Sequence, residues 1–159
     1  MVDAKARGVK PNPVKVKVGM LFGKRERTLR RILIVEDEPL VAFDNEHFLR
    51  DAGYEIVATV DTVPEAVEAI DEEVDLVLAD VNLSAGGCGQ DVARAARDKG
   101  VPLIFVTGSS PQDAKGLAIG LLAKPYSQRD LLAAIEGVDA KLSGKPVKKL
   151  PRSFTLFAT

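Results

Sequence analysis

The sequence predicts an α/β fold, a parallel sheet covered by helices on both faces. Short apolar runs and helical patterns alternate five times along the chain, the order expected of parallel strands joined by helical crossovers. Capping residues and glycines stand where the helical stretches must start or stop. The 159 residues are 46% hydrophobic, enough for a real core, which with 5% aromatics and no Trp must be built from Ala, Val, Leu and Ile.

The first strand is "RILIV" (31–35). It leads into "EPLVAFDNEHFLRDAG", where Leu40, Val41, Phe43 or Asp44, Phe48 and Leu49 approximate a helical stripe and Gly53 is the C-terminal stop. "YEIVATV" (54–60) is the second strand. The helix of "DTVPEAVEAIDEE" takes Thr62 as N-cap, with Pro64 in its first turn and Glu65 three residues after the cap. The third strand, "VDLVLAD" (74–80), passes through the glycine-rich "LSAGGCG" to the helix "QDVARAARDKG", again ended by glycine. "VPLIFVT" (101–107) is the fourth strand. "SSPQDAKGLAIG" is only about three turns long if helical, and its two glycines weaken it. "LLAK" (121–124) is the fifth strand, and Ser127 caps the helix of "SQRDLLAAIEGV", whose apolar positions in 131–135 face the core. "GKPVKKLP" (144–151) reads as an extended linker. "RSFTLFAT" and "VKVKV" (14–18) both alternate like edge strands, and frayed coil fits them equally well.

The length suits one domain with a little left over. The charge divides it. Residues 1–31 carry ten Lys/Arg against Asp3 and Glu26, residues 141–159 carry five Lys/Arg and no acid, and the segment between them is strongly acidic. We therefore expect a basic N-terminal extension (1–30), a folded domain (31–140) and a basic C-terminal tail (141–159). Solvated tails drawn to their own acidic domain are the simple reading. Contact with nucleic acid or a membrane is the sharper one, and no aromatic or motif accompanies the charge. No run approaches the ~20 apolar residues of a membrane span, and the N-terminus lacks the apolar core of a secretory signal. Cys88 stands alone, which excludes a disulfide framework within one chain and fits a reducing cytoplasm. Met1 and Met20 are both possible starts.

Open α/β sheets collect their chemistry at the carboxyl ends of the strands. The first strand ends in Glu36, Asp37 and Glu38, the third in Asp80, the fourth in Thr107 and the fifth in Lys124. Clustered carboxylates repel one another, and one hard divalent cation relieves this, with Mg2+ fitting best because it keeps waters for an incoming phosphate. A lysine opposite them offers a point charge to a phosphoryl oxygen, and a threonine hydroxyl donates to another. With that charge shared, Asp80 can attack phosphorus and become an aspartyl phosphate.

These residues, in "ILIVEDEP", "VDLVLAD", "PLIFVTG" and "AKPY", resemble the receiver domain of two-component response regulators over roughly residues 31–138. The resemblance implies a flavodoxin-like, doubly wound (βα)5 fold with five parallel strands in the order 2-1-3-4-5. It makes Asp80 the phosphoacceptor and Asp37 the main acidic Mg2+ ligand. Glu36 assists through water, and the backbone carbonyl of Asn82 completes the metal shell. Thr107 and Lys124 hold phosphoryl oxygens, and the Lys124–Pro125 bond is cis. The implied partner is a histidine kinase or a histidine phosphotransfer protein, with no DNA-binding domain. The chain is then a cytoplasmic signalling domain that catalyses only its own phosphotransfer and dephosphorylation.

Two departures bear on the switch. Receivers usually carry Tyr or Phe three residues before the lysine, where this chain has Leu121, and the segment between Thr107 and Lys124 is short. Both features, with "FVTGS" (105–109), resemble the atypical single-domain subgroup named for a Phe-Ala-Thr-Gly-Gly/Tyr motif, from which Val106 and Ser109 deviate. The expected switch is therefore the loop around Gly108, Ser109 and Ser110 rather than an aromatic relay.

His47, beside Glu46, is expected to be an ordinary helix residue, and Cys88 an inert loop residue. Two other functions remain open to the sequence. One is a phosphate-independent interaction module on the same fold. The other is an aspartyl-phosphate hydrolase, which generally needs a second acid two residues past the nucleophile, where this chain has Asn82.

Overall fold

The computed structural model describes residues 27–83 and 87–158. The "VKVKV" stretch, most of the basic N-terminal extension, both candidate start methionines and Ser84 to Gly86 of the glycine-rich loop lie outside the described residues.

In chain order the elements are β1 (Arg31–Val35), α1 (Pro39–Asp51), β2 (Glu55–Val60), α2 (Val63–Ala69), β3 (Leu76–Asp80), β4 (Asn82–Leu83), β5 (Gly87–Cys88), α3 (Gly89–Asp98), β6 (Leu103–Thr107), α4 (Ala114–Leu117), β7 (Gly120–Ala123), α5 (Gln128–Leu142) and β8 (Phe154–Leu156). The main sheet runs β2-β1-β3-β6-β7-β8. Its first five strands are parallel, in the order the resemblance implies. β4 and β5 form a small antiparallel pair immediately after Asp80.

Successive strand residues point to opposite faces, and both faces are buried. Leu33, Val35, Val77, Ala79, Leu103, Phe105 and Leu121 lie in one apolar cluster with Ala66 of α2 and Val92, Ala93 and Ala96 of α3. Ile32, Ile34, Leu76, Leu78, Ile104, Val106 and Leu122 lie in the other, with Leu49 of α1 and Leu131, Ile135 and Val138 of α5. This is why the strands read as continuous apolar runs instead of alternating ones.

The helix boundaries follow local chemistry. Thr62 Oγ1 accepts from Glu65 N at 3.3 Å. Ser127 and Asp130 make a reciprocal capping box at the start of α5. Chain reversal after α1 falls at Gly53, at φ +97°.

Two elements differ from the sequence reading. The buried face of α1 is Ala42, Asn45 and Leu49, whereas Leu40 and Phe43, assigned to the apolar stripe, are 80% and 56% exposed. The inner stripe of this helix has a polar residue at its centre, so apolarity alone selects the wrong face. α4 is also a single four-residue turn.

The sheet carries one strand beyond the five expected. β8, from the C-terminal segment, pairs antiparallel with β7 through Gly120↔Leu156, Leu121↔Thr155 and Leu122↔Phe154. Its period-two pattern sends Phe154 and Leu156 to the α1/α5 side, while Phe157 joins the cluster of Leu121 on the other. β7 would otherwise present unpaired amides and carbonyls at the sheet edge. No helix among the described residues is long and apolar enough to cross a membrane.

Candidate functional site

Among the described residues the buried polar or charged side chains are Glu36, Asn45, Asp80 and Thr107. Three of these are residues that the strand-end argument singles out. Burying such groups is costly unless partners satisfy them, and two of them, Glu36 and Asp80, share one partner.

Lys124 supplies the centre. Its Nζ donates to Asp80 Oδ2 at 2.8 Å, to Glu36 Oε1 at 3.1 Å and to Glu38 Oε1 at 3.3 Å. Strand geometry brings these groups together. β1, β3, β6 and β7 are consecutive and parallel, so residues at their carboxyl ends share one rim. Lys124 is fixed to that rim by its own amide, which donates to Thr107 O at 2.9 Å. The second oxygen of Glu36 accepts from Glu38 N at 3.2 Å, and Asp80 Oδ1 accepts from Asn82 N at 2.9 Å.

The turn after Asp80 is tight. Gly89 N donates to Val81 O at 2.7 Å, and a Cβ at Gly89 would stand 2.3 Å from Asp80 O. Only glycine lets α3 start so close to the acid. Thr107 is fully buried; its Oγ1 accepts from Ser109 N at 3.1 Å and lies 3.2 Å from Ser109 Oγ.

Burial pushes the Glu36 carboxyl above its ordinary value, against the lowering influence of Glu38 N and Lys124. Burial acts on Lys124 in the opposite sense and would lower it. Its hydrogen bonds to Asp80 and Glu36 outweigh this and hold the ammonium above its usual range. Lys124 is thus a fixed cation. Three carboxylates, whose oxygens lie within 4.8 Å of one another, share its single charge, leaving a surplus of negative charge.

Glu36, Asp80 and Lys124 come together as the strand-end argument requires. Asp37 is half-buried in the β1–α1 connection, and the clustered acids are Glu36, Glu38 and Asp80. The resemblance assigns no role to Glu38. It stands just before α1 with extended backbone, at φ −85° and ψ 109°, and reaches the same ammonium as Glu36. Asn82 sits in β4, directly bonded to Asp80 through its amide. Gly108 and Ser109 lie at the exposed start of the β6–α4 loop, and Leu121 is buried in β7. The Lys124–Pro125 peptide bond is cis.

Asn45 is a residue the sequence reading passes over. It is buried within α1, and its Nδ2 donates to Tyr126 Oη at 2.8 Å. The bond ties α1 to the segment that follows Lys124. A cleft of about 480 Å3 opens there, lined by Glu38, Val41, Asp44, Lys124, Pro125 and Tyr126 among others. His47 is exposed and stacks on Phe43 with ring centroids 4.0 Å apart. Cys88 is half-buried, its Sγ 3.6 Å from Asp91 Oδ2. Neither belongs to the cluster.

Residues 32–136 match the family described as the response regulator receiver domain. A relative, the transcriptional regulatory protein PdtaR of Mycobacterium tuberculosis, is 38% identical over 114 residues, covering 67% of this chain and 55% of that one. The chain therefore spans about half the length of that relative. The signal receiver domain of a modulated diguanylate cyclase from Desulfovibrio desulfuricans is 33% identical with a TM-score of 0.65, over 72% of this chain and 97% of that one. The receiver domain of a sensor histidine kinase from Pseudomonas aeruginosa, solved with a magnesium ion coordinated in its active-site cleft, is 26% identical with a TM-score of 0.58, over 69% and 96% of the two chains.

Proposed function

This chain belongs to the response regulator receiver family, and from that premise we propose that it takes a phosphoryl group from a phosphohistidine onto Asp80. The observation that carries the reading is a buried carboxylate and a fixed ammonium 2.8 Å apart, with the buried hydroxyl of Thr107 on the strand between theirs.

In the proposed reaction an Asp80 carboxylate oxygen attacks phosphorus. A P–O bond forms, the donor's P–N bond breaks, and the imidazole leaves with the electron pair and is protonated from solvent. Lys124 moves from carboxylate to phosphoryl oxygen as negative charge arrives, a role suited to a point charge on a flexible stem. The Thr107 hydroxyl donates to a second phosphoryl oxygen after turning from Ser109. The mobile readout is then the Gly108–Ser110 loop, with Leu121 in place of a relay aromatic, as in the atypical subgroup.

The donor set fits a divalent cation. Its members are hard oxygens, and three carboxylates against one ammonium leave an excess of two negative charges. Glu36, Asp37, Asp80 and the main-chain carbonyl of Asn82 are the proposed ligands, with Glu38 at the rim. Mg2+ would neutralise charge shared by Asp80 and the incoming phosphoryl group. The magnesium-bound receiver from Pseudomonas aeruginosa supports this assignment.

We assign the receiver to residues 31–140, with a basic extension before it and a basic C-terminal segment whose β8 adds to its sheet, and its output to phosphorylation-dependent binding of a partner or to phosphate shuttling. A cytoplasmic histidine kinase or histidine phosphotransfer protein is the proposed donor. The test is Asp80→Asn with Mg2+ and a small phosphoramidate, followed by intact-mass measurement. The unmodified chain should gain one phosphoryl group and the variant none; equal incorporation by both overturns the reading.

A further inference from the structure

Resting on the reading of Lys124 as a phosphoryl ligand, we propose that Ser153 is a positioning residue for phosphotransfer, clamping both ends of the segment that carries Lys124. Ser153 lies outside the family's matched span of 32–136, just before β8, and it makes two bonds to that segment. Its carbonyl accepts from Ala123 N at 2.7 Å, immediately before Lys124. Its hydroxyl donates to Asp130 Oδ2 at 2.9 Å. That same Asp130 oxygen accepts from Ser127 N at 3.4 Å, while Asp130 N donates to Ser127 Oγ at 3.1 Å. Lys124, Pro125 and Tyr126 are thus held from one residue, directly on the strand side and through the helix cap on the other.

The seat for this clamp is built into the fold. A Cβ at Gly120 would stand 2.6 Å from Phe154 Cζ and 2.9 Å from Thr155 O. A Cβ at Gly137 would stand 2.6 Å from Leu150 Cδ2. Two glycines on different elements thus leave clearance for the segment on either side of Ser153. Phe154 and Phe157 are buried beyond it, and Lys141 Nζ donates to Phe157 O. The hydrogen bond from Ser153 is the largest influence holding the Asp130 carboxyl below its usual range.

The clamp matters because Lys124 is a flexible side chain whose reach depends on its backbone anchor. The anchor has Thr107 O on one side and the Ser153 contact on the other. Loosening the second contact removes no group that would touch phosphate but lets the Lys124 segment wander, which slows a reaction dependent on alignment.

The experiment uses the full chain and compares Ser153→Ala, which keeps the carbonyl and removes the hydroxyl, with Ser153→Thr, which restores it. Residue-resolved amide exchange, melting temperature and the initial rate of Mg2+-dependent phosphorylation by a small phosphoramidate are measured for each. We expect Ser153→Ala to exchange faster at Lys124 and Ser127 but not in β1 or β3, and to be phosphorylated about threefold to tenfold more slowly, the loss of one charge-assisted hydrogen bond. Ser153→Thr should restore both. Unchanged exchange at Lys124 overturns the clamp, as does a uniform rise across the sheet that threonine does not rescue. If the unmodified chain takes up no phosphoryl group, the phosphoacceptor reading fails, and exchange at Lys124 alone still decides the clamp. If it is phosphorylated and Ser153→Ala matches it in rate, the positioning role fails while the Asp80 reading stands.

Discussion

Lys124 Nζ and Asp80 Oδ2 lie 2.8 Å apart across 44 residues of sequence, and the same ammonium is claimed by Glu36 and Glu38. One cation divided among three anions satisfies the geometry of each hydrogen bond without balancing the charge. Glu36 and Asp80 carry their share of the imbalance buried, where Coulomb energies are larger than in water, whereas Glu38 is exposed. Added positive charge would relieve such a site, which is what the proposed divalent cation supplies.

The first prediction concerns Glu36, whose carboxyl is held above its ordinary value chiefly by burial. Burial thus penalises its charge in the folded state, so Glu36→Gln should raise the melting temperature in EDTA. The same change removes a charge that a divalent cation would neutralise. Added Mg2+ should therefore raise the melting temperature of the unmodified chain more than that of the variant. Calorimetry with and without Mg2+ checks both halves, and a lower melting temperature for the variant in EDTA refutes the first.

A second prediction follows from Asn45, buried with its Nδ2 on Tyr126 Oη. Tyr126→Phe removes the acceptor and strands a buried amide, at a cost of ~1–3 kcal/mol. Asn45→Leu with Tyr126→Phe replaces both partners by apolar groups and should cost less than the two single changes summed. Urea unfolding of the four proteins measures the coupling, and strict additivity would show that the bond contributes nothing.

How far the sequence reveals all this depends on where the signal lies. Parallel strands buried on both faces appear as unbroken apolar runs, so "RILIV" and "LIFVT" are readable, and the polar residue that ends each run marks the rim. Glu36, Asp80, Thr107 and Lys124 are legible for that reason. Asn45 is not, because its burial comes from an acceptor 81 residues away and polarity in α1 points it outward. Leu40 and Phe43 mislead in the reverse sense. The alternation of "RSFTLFAT" is a visible strand pattern, yet nothing local names β7 as its partner. Ser153 gains its role only once that pairing brings it beside Ala123 and Asp130.

The third prediction is a pH dependence at Asp130, which is half-buried and held below its ordinary value of 3.8, first by Ser153 Oγ. A carboxyl with a depressed native pKa binds fewer protons folded than unfolded, so its contribution is present above the unfolded value and lost as pH falls through the native one. The α5 cap should therefore weaken below about pH 4. Ser153→Ala should move the Asp130 titration toward higher pH and shrink the stability lost to acid, whose onset is set by the unfolded value and stays put. Side-chain carboxyl NMR titration of both proteins tests the shift, and an unmoved Asp130 would contradict it.

The last prediction addresses whether β8 is seated or merely adjacent. Phe154 is buried on the α1/α5 side of the sheet, and truncating a buried phenylalanine typically costs ~3–5 kcal/mol. Gly120→Ala places a methyl group against the Phe154 ring and Thr155 O, an overpacking that typically costs ~1–3 kcal/mol. If the two positions share one seat, removing the ring makes room for the methyl group. The double variant should then be more stable than the summed single costs allow, by at least ~0.5 kcal/mol. The Thr155 carbonyl remains in the way, so the relief should be partial. Denaturant unfolding with a common m-value gives the cycle directly. Full additivity would mean that Phe154 can leave the β7 edge at no cost to Gly120, and that the two positions do not share one seat.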